Sequence, residues 1–321
     1  MTDVTRKKIT CGTIGSSGFD ELRAQELICL GREARLLYRK GTSLKKENRL
    51  DGKDLSEVLP KEFPLKDDLP EPFKGRQYKI LAPLVFTQIV LRFIGQRLVF
   101  GFIAEPIDPE RKKCELFIVY RGSQTPWDWI SNFRIFQTKR QLFNSSGVPG
   151  EVHRGFNAQY TRRDKKRDQP SIAKIIETTL TPEVVADRTI YVAGHSLGGA
   201  LATLTAAHVK QLHPKTDVHL YSSASPRVGD GQFAKYFKTR QIKAFRIYNT
   251  ADTVPTLPPR FESPFELAQY VHVGVNIPFT SQTESRQFNH TLPIYARAVG
   301  LDYEQFNYLP DGKPLPFECE P

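Results

Sequence analysis

The amino-acid sequence predicts an α/β fold in which helices flank a central, mostly parallel sheet. Two observations support this prediction. Short apolar and β-branched runs of strand length alternate with segments whose apolar residues recur every three or four positions, the pattern of strands alternating with helices. Several predicted strands also end in loops rich in turn-forming residues, where open α/β sheets carry functional groups. With 321 residues, the chain can bury one large core of this kind.

The first 75 residues predict a long helix followed by a connector. Apolar residues recur at three and four positions over residues 19–40, with Gly31 as the one glycine, and Gly41 is expected to end the helix. Residues 42–75 mix charges with four prolines, which favours an extended segment on the surface. We expect residues 1–75 to pack on the core as an N-terminal helix and proline-rich connector, and residues 76–321 to form the main domain.

The next stretch predicts a hairpin that ends in a buried strand. Residues 80–94 are apolar enough for a helix or a strand, and both alternatives stay open. Residues 97–104 and 114–120 are predicted strands, with residues 106–113 as the polar turn between them. The second of these strands leads directly into the loop that starts at Arg121.

A strand, a tight turn and a helix are predicted at residues 189–202, with Ser196 at the turn. A serine hydroxyl is a poor nucleophile at its ordinary pKa, so it must be presented at a strained corner where a base can reach it. Gly194 and Gly198 allow this corner, because a Cβ at either position would collide with the adjoining strand or helix. The pattern G-x-S-x-G therefore predicts a nucleophile elbow, and a Gly-rich connection with a purely architectural role is its alternative.

An acid and a base are expected after the elbow. Asp252 follows a predicted strand at residues 243–248 and lies in a proline-stiffened loop, where the acid belongs if the chain order is Ser, acid, His. Only His272 and His290 follow it in the sequence. His272 lies in a β-like run, whereas His290 lies in a loop before a predicted C-terminal helix. Because a loop histidine reaches Ser196 more easily, we predict His290 as the base, with His272 as the alternative.

Two backbone N–H groups are candidates for an oxyanion hole. Gly122 permits close backbone approach and makes the N–H of Ser123 available as a donor. The second donor would be the N–H of Leu197, the residue after the predicted nucleophile. It begins a predicted helix whose positive dipole end faces the site.

A short aromatic helix is predicted after Pro126. Both tryptophans of the chain, Trp127 and Trp129, lie in it together with Ile130 and Phe133. Large aromatic side chains on a short segment beside an active site are typical of a lid or of a surface that contacts lipid. The alternative is an ordinary amphipathic helix that closes the core.

The charge of the chain limits the partners that we expect. A net charge of +11 and a pI of about 9.4 suit nucleic acid, an anionic membrane surface or simple solubility. The sequence has no zinc-finger spacing, RNP-like aromatic box or long basic tail, so we expect no nucleic-acid partner. A basic run at residues 162–167 favours contact with anionic lipid, although such runs are also common on solvated surfaces.

Cysteine usage and hydropathy give further expectations. The four cysteines are scattered and include no C-x-x-C pair, so they fit neither a metal site nor a dense disulfide framework. We expect no metal and no cofactor. The sequence shows no apolar leader and no uninterrupted apolar run of membrane-spanning length, which predicts a cytoplasmic protein.

Taken in order, these motifs make the chain similar to the fungal-type triacylglycerol lipases, the lipase class 3 family of α/β-hydrolases. The resemblance covers residues 97–299. It rests on Arg121-Gly122-Ser123, Asp128-Trp129, Val152-His153-Arg154-Gly155-Phe156, Gly194-His195-Ser196-Leu197-Gly198-Gly199-Ala200, Pro226-Arg227-Val228-Gly229, Asp252-Thr253-Val254-Pro255, Leu257-Pro258-Pro259 and His290. One departure concerns Asn132, where the family usually has an aspartate that supports the oxyanion-hole hydroxyl.

The resemblance implies an α/β-hydrolase fold with a short helical lid, and a catalytic domain at residues 76–321. It implies Ser196 as nucleophile, His290 as general base and then acid, Asp252 as the residue that orients His290, and Ser123 with Leu197 as oxyanion donors. The expected reaction is hydrolysis of a lipid ester at a lipid–water interface, first of all a triacylglycerol or another acylglycerol. Phospholipase A1, galactolipase and feruloyl-type esterase activities are the alternatives, and an inactive lipid-binding or interaction module is the alternative outside the enzymes.

Overall fold

The computed structural model describes residues 18–43, 59–65, 69, 72–91, 94–123, 140–143, 147–260, 269–283 and 285–301. Within these residues the main sheet has eight strands, which are β1 (Glu62–Pro64), β2 (Gln77–Leu91), β3 (Ile94–Pro106), β4 (Glu115–Tyr120), β7 (Thr189–His195), β8 (Val218–Ser223), β9 (Lys243–Asn249) and β10 (Val275–Phe279). They lie side by side in the order β1-β2-β3-β4-β7-β8-β9-β10. A separate ladder pairs β5 (Arg140–Leu142) with β6 (Glu151–His153).

The sheet changes from antiparallel to parallel at β4. Strands β1 to β4 pair antiparallel, whereas β4, β7, β8, β9 and β10 pair parallel. Strand β4 is buried along nearly its whole length, which explains its continuous apolar sequence, since a parallel strand is covered on both faces. The parallel arrangement brings the carboxyl ends of five strands to the same edge, where the site described below lies.

Helices cover both faces of the sheet. They are α1 (Glu21–Ser43), α2 (Pro109–Cys114), α3 (Arg154–Thr161), α4 (Ile172–Thr179), α5 (Pro182–Val185), α6 (Leu197–Leu212), α7 (Gly231–Thr239), α8 (Arg286–Asn289) and α9 (Leu292–Ala298). One apolar core contains α3, α4, α6 and α7, and a second core, on the other face, contains α1 and α9. None of the described helices has the length and apolar character that crossing a membrane requires.

A buried ionic cluster fastens α1 to the sheet. The carboxylate of Glu26 is almost fully buried and accepts hydrogen bonds from Arg23 at 2.5 Å, from Arg76 and Arg111 at 2.7 Å each, and from the hydroxyl of Tyr78. Burial by itself would raise the pKa of Glu26, but the surrounding guanidinium groups outweigh it and lower the pKa. Glu26 is therefore held as a carboxylate, and it joins α1 to partners on β2 and α2.

The predicted mostly parallel sheet flanked by helices is confirmed, with local differences. Residues 80–91 lie in β2 and residue 94 begins β3, so the described part of this stretch is strand and not helix. The predicted turn at residues 106–113 instead contains α2, because Asp108 accepts a hydrogen bond from the Arg111 N–H and caps a short helix. Helix α1 continues past Gly41 to Ser43. The boundary at residue 75 stays a prediction.

The basic run at residues 162–167 lies outside the α-helix that precedes it, although the apolar spacing from Phe156 onward predicts that the helix carries the run. Helix α3 ends at Thr161, and the run follows it in a turn that contains a short 3₁₀ segment, Lys165–Arg167. Asp164 caps this segment by accepting a hydrogen bond from the Lys166 N–H. Arg163 pairs with Asp168 across the same turn at 2.5 Å.

Candidate active site

Ser196 lies at the sharp turn between β7 and α6. Its backbone has φ +58° and ψ −125°, a conformation that is uncommon and strained for a residue other than glycine. A Cβ on Gly194 would lie 2.2 Å from the Gly198 carbonyl oxygen, and a Cβ on Gly198 would lie 2.3 Å from the carbonyl oxygen of Arg121. Both contacts are too short for any Cβ, so the predicted need for glycine on either side of Ser196 is confirmed.

The structure brings together the three residues predicted as a catalytic triad. The Oγ atom of Ser196 lies 2.7 Å from Nε2 of His290, and Nδ1 of His290 lies 2.7 Å from Oδ2 of Asp252. A carboxylate can only accept, so Nδ1 carries the hydrogen and Nε2 of the neutral imidazole is left to accept from the serine hydroxyl. All three side chains are buried. The chain of hydrogen bonds therefore has the direction that general-base catalysis needs.

Sequence reasoning missed Tyr295, which also contacts the acid. Its hydroxyl donates to Oδ2 of Asp252 at 2.7 Å, and the N–H of Val254 donates to Oδ1 at 2.9 Å. Burial, followed by the nearby Asp252 charge, raises the pKa of Tyr295 well above its ordinary value, so the phenol stays protonated as a donor. Tyr295 lies in α9, outside any motif, and no spacing in the sequence indicates it.

Two asparagines join the loop of the acid to the loop of the base. The side-chain amide of Asn249, at the end of β9, donates to the carbonyl oxygens of Ser281 at 2.7 Å and Asn289 at 3.1 Å. The side-chain oxygen of Asn249 accepts from the N–H groups of Ala251 and Ser281. Asn289 directly precedes His290, so this network fixes Asp252 and His290 relative to each other.

His195, between Gly194 and Ser196, positions the backbone of His290. Its Nε2 atom lies 2.9 Å from the carbonyl oxygen of His290, and its Nδ1 atom lies 3.1 Å from Oγ of Ser223. Because a carbonyl can only accept, Nε2 carries the hydrogen and Nδ1 accepts from the serine hydroxyl. Burial, and then the neighbouring His290, lower the pKa of His195 well below its ordinary value. His195 is therefore a neutral, structural histidine.

His272, the alternative base, lies elsewhere and holds a different group. Its Nε2 atom lies 2.8 Å from the carbonyl oxygen of Pro255, so it supports the loop that follows Asp252. Burial, and then the charge of Arg246, lower the pKa of His272 to about 3. The expected strand around it is absent in the described structure, where Val271 forms only an isolated bridge and β10 begins at Val275.

The predicted oxyanion donors lie at the same edge of the sheet. A Cβ on Gly122 would lie 3.1 Å from Cδ2 of His195 and 3.7 Å from Cβ of Ser196, so the end of β4 touches the elbow. Arg121 fixes this segment through its donation to the Gly122 carbonyl oxygen at 2.7 Å. Leu197 is the first residue of α6, so its N–H has no acceptor within that helix. The role of Ser123 and Leu197 as oxyanion donors stays a prediction.

Part of the predicted site falls outside the described residues. Trp127, Trp129, Ile130 and Phe133, the predicted lid, are among residues 124–139, as is Asn132. The lid therefore stays a prediction.

The strand order, the elbow and the Ser–His–Asp chain at the carboxyl ends of the parallel strands define an α/β-hydrolase fold. Residues 117–262 match the family model described as Lipase (class 3). This match covers 146 of the 321 residues, and over them the chain is similar to the class 3 lipases.

Two curated relatives and a solved structure illustrate this similarity. Phospholipase A1-II 4 of Oryza sativa subsp. japonica is 30% identical over 51% of this chain and 43% of its own length. Secreted mono- and diacylglycerol lipase 1 of Fusarium solani is 33% identical over 47% of this chain and 41% of its own length. The chain thus spans less than half of either relative. The native Rhizomucor miehei lipase propeptide complex has a TM-score of 0.51 at 22% identity, covers 82% of this chain and 70% of its own, and shows the shared fold.

Proposed function

We propose that this protein is a serine hydrolase that cleaves carboxylic esters of lipids through an acyl-enzyme. The observation that carries the proposal is the hydrogen-bond chain from Ser196 through His290 to Asp252. Each member comes from a separate segment that follows a parallel strand, so a structural role for the elbow alone would not require this convergence. The match of residues 117–262 to the Lipase (class 3) family model supports the same reaction.

The reaction follows from the direction of the hydrogen bonds. Oγ of Ser196 attacks the ester carbonyl carbon as its proton passes to Nε2 of His290, and Asp252 stabilises the imidazolium that forms. The N–H groups of Ser123 and Leu197 are the proposed donors to the tetrahedral oxyanion. His290 then protonates the leaving alcohol, which departs as the C–O bond breaks. A water molecule repeats the sequence on the acyl-enzyme, releasing a fatty acid and regenerating the serine.

We propose an acylglycerol as the first substrate and a phospholipid cleaved at one ester as the second. Similarity to a mono- and diacylglycerol lipase supports the first, and similarity to a phospholipase A1 supports the second. The positive net charge of +11 also favours approach to anionic phospholipid surfaces. Exposed Arg162, Lys165 and Lys166, in the turn after α3, would contribute to such contact.

The first test compares the wild type with Ser196→Ala on p-nitrophenyl esters from acetate to palmitate. We expect hydrolysis by the wild type, none by the variant, and equal thermal stability of the two proteins. A fluorophosphonate probe should modify the wild type once, at the peptide that contains Ser196. Triolein, diacylglycerol, phosphatidylcholine, phosphatidylglycerol, a galactolipid and methyl ferulate then separate the substrate classes. A folded wild type that neither hydrolyses these esters at an interface nor reacts with the probe would instead be a lipid-binding module.

A further inference from the structure

Helix α1 forms one wall of the narrow cleft that contains Ser196. It contributes Ala24, Leu27, Ile28, Gly31 and Arg35, although it lies outside the residues matched by the family model. The opposite wall is formed by residues near the carboxyl ends of β4, β7, β8 and β9. The cleft thus runs between a helix from the N-terminal part of the chain and the catalytic edge of the sheet.

The same cleft contains the proposed reactive groups and a set of apolar residues. Ser123, Ser196 and His290 line it at the catalytic edge. The apolar residues that also line the cleft are Leu27, Ile28, Ala193, Tyr221, Ile247 and Leu292. An ester bound at Ser196 has an acyl chain on one side of its carbonyl, and apolar walls continuous with the nucleophile match that chain.

Gly31 is the residue of α1 that has no side chain where the helix lines the cleft. It lies near the middle of a 23-residue helix, where glycine costs roughly 1 kcal/mol relative to alanine. A Cβ at this position would meet only Cγ1 of Val119, at 4.0 Å, among the described atoms. Neither a close backbone approach nor a positive φ requires glycine here, since Gly31 is absent from the positive-φ glycines of the described chain. Among the described residues, the missing side chain therefore leaves space in the cleft without serving a tight backbone contact.

We propose that the cleft between α1 and the sheet binds the acyl chain of the ester, and that Gly31 sets the chain length it accepts. This inference rests on the proposed hydrolase function. The ionic cluster around Glu26 and the buried Leu30, Ala34 and Leu37 hold α1 against the sheet, so the wall is fixed in place. A larger side chain at residue 31 would consequently narrow the cleft instead of moving the helix.

The test measures chain-length selectivity in Gly31→Ala and Gly31→Leu. The control is Leu22→Phe, which adds bulk to the same helix at a side chain that is 56% exposed and does not line the cleft. For each protein, kcat/KM is measured on p-nitrophenyl butyrate and palmitate, and the rate of Ser196 modification is measured with ethyl and hexadecyl fluorophosphonates. We expect Gly31→Leu to lower the palmitate-to-butyrate ratio by about tenfold or more, since a side chain in an apolar pocket changes discrimination by that order.

The other two variants and the wild type also test the inference. Gly31→Ala should lower the ratio less and raise the melting temperature, and it carries the test if Gly31→Leu does not fold. Leu22→Phe should leave the ratio unchanged. A Gly31→Leu protein that is active with the wild-type ratio for both esters and both probes would overturn the inference while leaving the hydrolase proposal intact. A wild type without reactivity at Ser196 would overturn both.

Discussion

Tyr295 donates a 2.7 Å hydrogen bond to Oδ2 of Asp252, the same oxygen that lies 2.7 Å from Nδ1 of His290. Oδ2 of Asp252 thus accepts two hydrogen bonds, and its Oδ1 atom accepts one from the backbone N–H of Val254. The position of the carboxylate is therefore fixed independently of the histidine. This arrangement lets Asp252 orient the imidazole without depending on it for its own placement.

Tyr295→Phe should lower kcat by about tenfold with little change in KM. A hydrogen bond to a charged group contributes about 1.5 kcal/mol or more, and its loss here affects the orientation of His290 and not the binding of substrate. The kinetics are measured on a soluble p-nitrophenyl ester. Tyr160→Phe is the control, because Tyr160 is equally buried and its hydroxyl contacts His208, away from the site. A kcat loss of equal size in both variants would show a general effect of destabilisation.

Gly194→Ala should destabilise the fold by about 3 kcal/mol, the upper part of the usual range for overpacking. The added Cβ would lie 2.2 Å from the Gly198 carbonyl oxygen, so the backbone of the elbow would have to move. Urea denaturation measures the free energy of unfolding. Gly231→Ala is the matched control, because a Cβ there has no described atom within 4 Å, and it should be neutral or stabilise by up to about 1 kcal/mol. Equal effects of the two substitutions would contradict the close contact.

The sequence predicts the elbow because its constraint is local. The two glycines, the strand and the helix all lie within a few residues of Ser196, so spacing alone carries the information. The placement of Asp252 also follows from the sequence, since parallel strands present their carboxyl ends at one edge. His290 follows from chain order and from the greater reach of a loop, and the structure places it beside Ser196.

The supporting residues could not be found in this way, because their contacts join distant parts of the chain. The hydrogen bond of Tyr295 spans 43 residues, and that of His195 to the His290 backbone spans 95. Neither partner leaves a spacing in the sequence. Strand β2 stayed ambiguous for a different reason, since a continuous apolar run suits a buried strand and a buried helix equally. Helix α2 has only six residues, too few for an apolar period to appear.

The free energy of unfolding should decrease as the pH is lowered below about 6.5, and His272 should cause part of this decrease. Burial lowers the pKa of His272 to about 3, whereas the unfolded side chain titrates near 6.5. Between these values the unfolded state binds a proton that the folded state does not. The stabilising contribution is therefore complete above the unfolded pKa and is lost as pH falls towards the folded pKa, at about 1.4 kcal/mol per pH unit.

Urea denaturation of the wild type and His272→Gln at pH 7, 6 and 5 tests this prediction. Glutamine keeps a donor for the Pro255 carbonyl but has no proton to bind. The variant should be less sensitive to pH by about 1.4 kcal/mol per unit between pH 6 and 5. If the two proteins lose stability equally between pH 7 and 5, His272 binds its proton equally in the folded and unfolded states, which would contradict its lowered pKa. His208, whose pKa burial lowers to about 4, should leave a remaining slope in the variant.

Glu26→Gln should destabilise the protein by about 3 kcal/mol or more, because breaking a buried ion pair leaves uncompensated charge. The substitution removes the buried carboxylate with which Arg23, Arg76 and Arg111 form ion pairs. Glu110→Gln is the control, since Glu110 is 81% exposed and pairs with Lys113 across one turn, and it should change stability by no more than about 0.5 kcal/mol. Because the folded pKa of Glu26 is lowered, its contribution is complete above the unfolded pKa of about 4.3 and is lost as pH falls below it. The difference between wild type and Glu26→Gln should therefore shrink in acid, and a difference that stays constant down to pH 3 would assign the effect to packing instead of charge.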